Sequence, residues 1–216
     1  AAVTSLLSGA ASLPGLEPAA MAAHLATGEP ALLPTDTLPA LAVVPAAAAR
    51  LWERKQRPAD KPLILMGADL DQLVAALGVS WPASWLEQAQ RHWPGAVTLV
   101  LPISGSLTQF LHPGGRSLGL RVPDCPPLQA LLRLSGPLAT TSANRSGQPA
   151  ACEALEAAAQ FPDLPLLGPL PWPQGSGEAS AVWCWQEQQA PEHAWTVLRA
   201  GQITPVSRRE GDPVAG

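Results

Sequence analysis

Residues 137–147 read PLATTSANRSG, an apolar run that changes into small hydroxyl and amide side chains and ends on glycine. This pattern is typical of a buried strand that delivers short polar groups to the rim of a pocket. Ser142 and Asn144 can donate hydrogen bonds to phosphate oxygens, and Gly147 lets the backbone approach a ligand closely. Taken alone, the stretch fits a polar turn after a strand equally well, because Ser, Asn and Gly are common turn residues.

Two further stretches place polar groups beside predicted strands. PTDT at 34–37 separates two apolar runs, and KQRP at 55–58, followed by Lys61, ends a predicted helix before the apolar run 63–66. Open α/β sheets bind ligands at the ends of their strands, so the three stretches are predicted to share one site. A lysine and an arginine two residues apart can converge on a polyphosphate. The alternative is a solvated helix end, where cations are favoured in any case.

The alternation of helical and apolar segments predicts an α/β fold with a mixed parallel and antiparallel sheet and helices on both faces. Helices are expected over 18–27, 46–54, 69–77, 82–92, 127–134 and 152–160. Strands are expected over 31–33, 41–44, 63–66, 97–101, 117–122, 138–141, 181–185 and 195–198, the last two perhaps paired.

The remaining parts of the chain are expected to be loops and less regular ends. Residues 104–115 are expected to form a loop and 161–178 a long connection, since both are rich in Gly with Ser or Pro. Strand 117–122 is expected to carry Arg121 outward. Residues 14–204 are predicted to form a single domain after a flexible lead-in over 1–13, with a mobile tail over 205–216.

Several functional classes are excluded or disfavoured. The net charge of −4 argues against a protein whose main role is coating nucleic acid. No segment reaches the roughly 18 consecutive apolar residues of a membrane span. The chain has no tyrosine, which excludes tyrosine-based chemistry. Cys125, Cys152 and Cys184 form no metal or disulfide pattern, so each is expected to be an isolated buried thiol in a cytoplasmic protein.

The sequence offers no familiar nucleophile or nucleotide fingerprint. It lacks the P-loop, the dinucleotide glycine motif and the Gly-x-Ser-x-Gly elbow. The four histidines lie in unrelated contexts and are interpreted as structural or surface residues. Asp36 fits a metal–water ligand or a cap in a turn, and the sequence leaves both open. The residues therefore favour a site that binds an anionic nucleotide and acts by positioning and charge stabilisation, as in nucleotidyl or phosphoryl transfer.

Six ordered motifs between about residues 18 and 204 resemble those of the Sua5/YrdC family, the threonylcarbamoyl-AMP synthases. They are PTDT at 34–37 followed by Leu41, KQRPADKPL at 55–63, WPGAVT at 93–98, LRVP at 120–123, SANRSG at 142–147 and LRAGQI at 198–203. The resemblance implies a YrdC-like fold, a twisted mixed sheet around a large concave cleft. It also implies that L-threonine, bicarbonate and ATP are joined into L-threonylcarbamoyladenylate with release of pyrophosphate, for modification of adenosine 37 in tRNA.

The resemblance also implies roles for single residues. Lys55 and Arg57 would be catalytic and hold the ATP phosphates, with Mg²⁺ accompanying the ATP and no metal-ligating protein residue assigned. The other implied ATP contacts are Ser117, Ser142, Asn144 and Arg199. The implied threonine contacts are Thr37, Arg121, Thr140 and Ser180. The tRNA and the tRNA threonylcarbamoyl-transfer proteins are candidate partners.

The chain departs from the family pattern in three places. Pro39-Ala40 stands where the family usually has Tyr-Gly or Phe-Gly, Ala181 replaces a threonine, and Ala150 replaces Ser or a similar residue. The changes fit a relaxed or altered acceptor, or a divergent, non-catalytic paralogue that binds nucleotide or RNA. A carbamoyl-transfer maturation domain is disfavoured, because the sequence contains no zinc-finger or acylphosphatase segment.

Overall fold

A computed structural model describes residues 15–59, 61–190 and 193–201. Within these residues one mixed sheet contains ten strands in the order β1-β8-β2-β3-β7-β4-β6-β5-β9-β10. The strands are β1 (Gly15–Leu16), β2 (Ala31–Leu33), β3 (Ala40–Val43), β4 (Ile64–Met66), β5 (Val97–Leu101), β6 (Leu118–Arg121), β7 (Leu138–Ser142), β8 (Leu166–Leu167), β9 (Ala181–Trp185) and β10 (Trp195–Arg199). The predicted lead-in and tail lie outside the described residues.

Seven α-helices accompany the sheet in the described part of the chain. They are α1 (Pro18–Ala26), α2 (Ala49–Lys55), α3 (Leu70–Leu77), α4 (Ala83–His92), α5 (Ser106–Leu111), α6 (Pro126–Ser135) and α7 (Ala154–Gln160). A short 3₁₀ turn, Pro45–Ala47, leads into α2. None of these helices is long and apolar enough to cross a membrane.

The predicted mixed sheet is confirmed. β4 pairs with β6 and β5 with β9 in parallel, whereas β3 and β4 both pair with β7 in antiparallel register. β9 and β10 pair antiparallel, as the sequence indicated. β7 therefore lies inside the sheet, between the strands that follow residues 34–37 and 55–63 in the chain.

Successive side chains of a strand point to opposite faces of the sheet, and each face packs into an apolar core of its own. In β2, Leu32 packs into one apolar core, while Ala31 and Leu33 pack into the other. Helices α1 and α6 cover the second core through Met21, Leu25, Leu128, Leu131 and Leu132. Helices α2, α3 and α4 cover the first core through Leu51, Trp52, Leu73, Trp85 and Ala89. The prediction of helices on both faces is confirmed.

Three local predictions were wrong. Residues 106–111 form helix α5 rather than a loop, because Leu111 is fully buried and the Thr108 hydroxyl donates to the Ile103 carbonyl at 2.6 Å. The connection 161–178 contains strand β8, which pairs with β1 and β2 in parallel. Cys152 is exposed and Cys184 half-buried, so among the three thiols only Cys125 is buried as expected.

Helix α3 begins with a side-chain cap that supplies a stability prediction. Asp69 has extended backbone angles, and its Oδ1 accepts a hydrogen bond from the Gln72 amide at 2.8 Å. The Asp69→Ala variant should therefore lose about 1 kcal/mol of unfolding free energy, measured by urea denaturation. Asp69→Asn retains an oxygen acceptor and is expected to unfold near the wild-type midpoint. Equal losses in both variants would contradict the role of the cap.

Candidate functional site

A cavity of about 410 Å³ opens over the sheet on the face that α1 and α6 cover elsewhere. In β7, Leu138 belongs to the apolar core under these helices, and Thr140 and Ser142 continue the same face into the cavity. The strand residues that line the cavity are Ala40, Ile64, Met66, Thr98, Arg121, Thr140, Thr141, Ser142, Val182 and Arg199. The face therefore changes from apolar to polar along the strands, and the polar part forms the site.

Arg121 is buried in this cavity, and the prediction that β6 carries it outward was wrong. Its side chain is only 4% exposed and forms an ion pair with Asp36. Its Nη1 donates to the Thr37 hydroxyl at 3.0 Å and its Nε to the Gly95 carbonyl at 3.3 Å. A buried guanidinium needs such partners, because an unpaired charge is costly to bury.

The ion pair fixes Asp36 as well as Arg121. The second carboxylate oxygen of Asp36 accepts a hydrogen bond from the Asp124 amide at 3.0 Å. Burial lowers the pKa of Arg121, and the carboxylate of Asp36 opposes that effect. Both oxygens of Asp36 are engaged, so its position favours a supporting role for Arg121 over that of a metal–water ligand.

The segment that carries Asp36 is held by hydrogen bonds within residues 35–38 and by hydrogen bonds from residues 176 and 177. The Thr35 hydroxyl donates to the Leu38 carbonyl at 2.6 Å and accepts from the Thr37 amide at 3.0 Å. The amides of Ser176 and Gly177 bind the carbonyls of Asp36 and Thr37. A Cβ atom on Gly175 would lie 2.3 Å from the Thr37 carbonyl oxygen, so this approach requires glycine. The sequence did not predict that residues 175–177 support the site.

A second polar group forms where β5, β9 and β10 meet. The hydroxyls of Thr98 and Ser180 lie 2.9 Å apart, and Thr98 is only 1% exposed. Arg199 donates from Nε to the Ser180 carbonyl at 2.8 Å and from Nη2 to its hydroxyl at 3.2 Å. Arg199 thereby joins the cavity wall. Thr98 was not assigned to the site from the sequence, although it ends the quoted motif at 93–98.

Lys55, the last residue of α2, does not line the cavity. It lies behind the part of the cavity wall that Thr141 and Ser142 form. It is only 2% exposed, and its Nζ donates to oxygens of Thr141, Ser142 and Asn144. Burial, with smaller contributions from the charges of Arg57 and Lys61, lowers the pKa of Lys55 to about 7. Gln56 ends the helix in a left-handed conformation, with φ at 54°.

The structure brings most of the predicted site residues together. The predicted residues that line the cavity are Thr37, Arg57, Arg121, Thr140, Ser142, Ser180 and Arg199. Lys55 and Asn144 contact Ser142 from behind the wall. Ser117 does not line the cavity, and its carbonyl accepts from His112 Nδ1 at 2.9 Å. Lys61 does line it, although no ligand was assigned to Lys61 from the sequence.

The chemistry of the cavity is cationic and hydroxyl-rich. No group of three or more His, Cys, Asp or Glu side chains in the described ranges could hold a metal ion. Among the residues that the structure describes, the cavity lining includes three arginines and one lysine but no Asp or Glu. Such a lining suits anionic substrates and provides no protein carboxylate cluster for a resident cation.

Comparison with known proteins gives the family. The Sua5_yciO_yrdC family model, described as telomere recombination, matches residues 23–201. The chain belongs to the Sua5/YciO/YrdC family. Curated relatives include threonylcarbamoyl-AMP synthases from Stutzerimonas stutzeri, 38% identical over 116 residues, and from Bacillus subtilis, 39% identical over 138 residues. These matches cover 54% and 62% of this chain, and 62% and 40% of the respective relatives.

Solved structures of the Sua5/YciO/YrdC family confirm the predicted YrdC-like fold. Sua5 of P. abyssi in complex with L-threonine gives a TM-score of 0.75 at 30% identity, over 84% of this chain and 53% of that one. E. coli YciO gives a TM-score of 0.70 at 23% identity, over 86% of this chain and 89% of that one. The chain thus spans about half the length of the P. abyssi protein.

Proposed function

We propose that this family member joins L-threonine, bicarbonate and ATP into L-threonylcarbamoyladenylate and releases pyrophosphate. The observation that carries the proposal is a cavity that combines a buried arginine flanked by hydroxyls with further cations on its other walls. Relatives named threonylcarbamoyl-AMP synthase and the L-threonine complex of P. abyssi Sua5 support it.

Threonine is proposed to bind at the Arg121 end of the cavity. A guanidinium binds a carboxylate through two parallel hydrogen bonds, which fits Arg121 to the threonine carboxylate. The hydroxyls of Thr37, Thr140 and Ser180 surround the same part of the cavity and offer hydrogen bonds to the amine and hydroxyl of threonine. The Thr140 hydroxyl already donates to the Ile64 carbonyl at 3.0 Å, so it is best placed to accept.

ATP is proposed to bind along the walls that carry Arg57, Ser142 and Arg199. Lys55 and Asn144 are proposed to support this binding through Ser142. Ser117 remains a predicted nucleotide contact outside the cavity lining. Mg²⁺ is proposed to enter with ATP, and the phosphates would hold it, because both oxygens of Asp36 are already engaged.

The proposed chemistry needs no protein nucleophile. The neutral amine of threonine condenses with bicarbonate to a carbamate with loss of one water molecule. An oxygen of this carbamate then attacks the α-phosphate of ATP and displaces pyrophosphate. The protein contributes orientation and positive charge, which stabilises the leaving pyrophosphate. We propose that the adenylate serves N6-threonylcarbamoylation of tRNA adenosine 37, with tRNA and the threonylcarbamoyl-transfer proteins as partners.

A second candidate function rests on the composition of the cavity wall. Pro39, Ala40, Ala150 and Ala179 line the cavity, and none of its described lining residues is aromatic. A wall of small apolar groups gives a planar base or an amino-acid side chain little to stack against. The alternative is therefore a divergent family member that binds nucleotide or RNA without forming the adenylate.

One assay separates the two functions. The protein is incubated with ATP, Mg²⁺, labelled bicarbonate and L-threonine, and both pyrophosphate and labelled adenylate are measured. The synthase should release pyrophosphate only when threonine and bicarbonate are both present, and reactions lacking either one serve as controls. Nucleotide binding without turnover would support the alternative. Pyrophosphate release that does not depend on threonine would sink the synthase proposal.

A further inference from the structure

A further cavity of about 570 Å³ lies next to the proposed substrate cavity, across the segment 34–39. It is enclosed by residues 34–39, by the start of helix α7 and by the loop 170–175, and we call it the α7 cavity. Thr37 and Pro39 line both cavities, so the segment 34–39 is a shared wall. The volume lies within the range of about 300–1,000 Å³ that small-molecule sites occupy. The proposed reaction assigns no substrate to the α7 cavity.

The walls of the α7 cavity are rigid and poor in hydrogen-bond donors. Trp172 Nε1 donates to the Leu167 carbonyl at 2.6 Å, so the indole is held in place. The Cys152 amide is also engaged, because it donates to Glu156 Oε2 at 2.8 Å. Four of the fifteen described lining residues have no amide N–H at all, namely Pro34, Pro39, Pro171 and Pro173. Such walls suit an apolar ligand body and give an anion few donors to bind.

The charged residues of the α7 cavity are both acidic. Glu153 and Glu156 line it, and no Lys, Arg or His is among its described lining residues. Both glutamates are exposed, and neither forms an ion pair with any residue that the structure describes. The substrate cavity has the opposite charge, with three arginines and one lysine in its described lining. The two neighbouring cavities therefore favour ligands of opposite sign.

Trp172 adds an independent preference for a cation. The face of an indole attracts an ammonium group more strongly than that of any other aromatic side chain. In the substrate cavity, by contrast, none of the described lining residues is aromatic. The carboxylates of the α7 cavity also repel phosphate groups, which disfavours a nucleotide or RNA as its occupant.

We propose that the α7 cavity binds a small organic amine, with the ammonium group at Glu153 and Glu156 and an apolar or aromatic body against Trp172 and the prolines. The carboxylates supply charge complementarity, and the rigid walls supply a preformed apolar surface. This binding goes beyond the proposed synthase activity and is independent of it, because it requires neither ATP nor threonine.

The test is a titration with 2-phenylethylamine and with its neutral counterpart 2-phenylethanol, followed by calorimetry and by the indole N–H signals in NMR spectra. The wild type should bind the amine about threefold or more tightly than the alcohol. The indole signal of Trp172, assigned with the Trp172→Phe variant, should shift during the amine titration. No binding of the amine, equal affinity for both probes, or shifts confined to other tryptophans would overturn the proposal.

Charge-neutral variants test the role of the two carboxylates. Glu153→Gln/Glu156→Gln removes both charges and keeps an oxygen that can accept from the Cys152 amide. It should bind the amine about three- to tenfold more weakly and the alcohol as the wild type does. The matched control, Glu53→Gln/Asp71→Asn, neutralises two exposed carboxylates outside the cavity and should leave both affinities unchanged.

A preference for the amine that survives in Glu153→Gln/Glu156→Gln would refute the role of the carboxylates. The outcome is separate from that of the proposed function. A protein that binds the amine but forms no adenylate loses only the synthase proposal, whereas an active synthase that does not bind the amine loses only the present one.

Discussion

Arg121→Met is expected to abolish threonine-dependent pyrophosphate release and to lower the free energy of unfolding by about 3–5 kcal/mol. The substitution removes the partner of the Asp36 carboxylate, whose side chain is only 14% exposed. It also removes the donor to the Thr37 hydroxyl. Loss of one member of a buried ion pair leaves an uncompensated charge, which is the source of the large effect. Urea denaturation measures the stability, and the pyrophosphate assay measures the activity.

The double variant Arg121→Met/Asp36→Leu separates folding from substrate binding. Replacing a buried ion pair by apolar side chains is often neutral for stability, so the double variant should regain most of the lost stability. Its activity should stay absent, because no guanidinium remains for the threonine carboxylate. Recovery of threonine-dependent release in the double variant would show that Arg121 acts only through the stability of the fold.

The elements that the sequence predicted correctly include short ones, since β2 has only three residues and was predicted with its observed bounds. β5 was predicted with its observed bounds, and 63–66 was recognised as a strand buried on both faces. β1 and β8 each have two residues, too few for any period. Helix α5 has six residues in a segment rich in Gly and Ser, and its burial depends on tertiary contacts. Local composition cannot report such contacts.

Most of the predicted site residues line or adjoin one cavity, but the orientation of Arg121 was not predicted. A charged residue in a strand is normally expected to face water, which led to the wrong expectation for Arg121. Its partner Asp36 lies 85 positions away in the chain. The oxygens that bind Lys55 lie 86 to 89 positions away. Pairs at such distances form only when β3, β4, β6 and β7 are assembled, so single motifs could not distinguish a cavity ligand from a residue behind its wall.

The buried ammonium of Lys55 should make stability depend on pH. Its pKa is about 7 in the folded protein, against 10.5 in an unfolded chain. Between these values the unfolded chain binds more protons than the folded one, so the contribution of Lys55 to stability rises with pH. The oxygens of Thr141, Ser142 and Asn144 face it as neutral acceptors, while Arg57 and Lys61 are the cations that act on it.

The measurable quantity is the difference in unfolding free energy between the wild type and Lys55→Met, followed from pH 7 to pH 9. It should rise by about 2 kcal/mol in favour of the wild type over this range. Below pH 7 it should flatten, because Lys55 is then protonated in both the folded and the unfolded chain. A flat difference for Lys55→Met would mean that the folded protein keeps Lys55 fully protonated through pH 9. The neutral oxygens of β7 and the following turn would then compensate the cost of burying its charge.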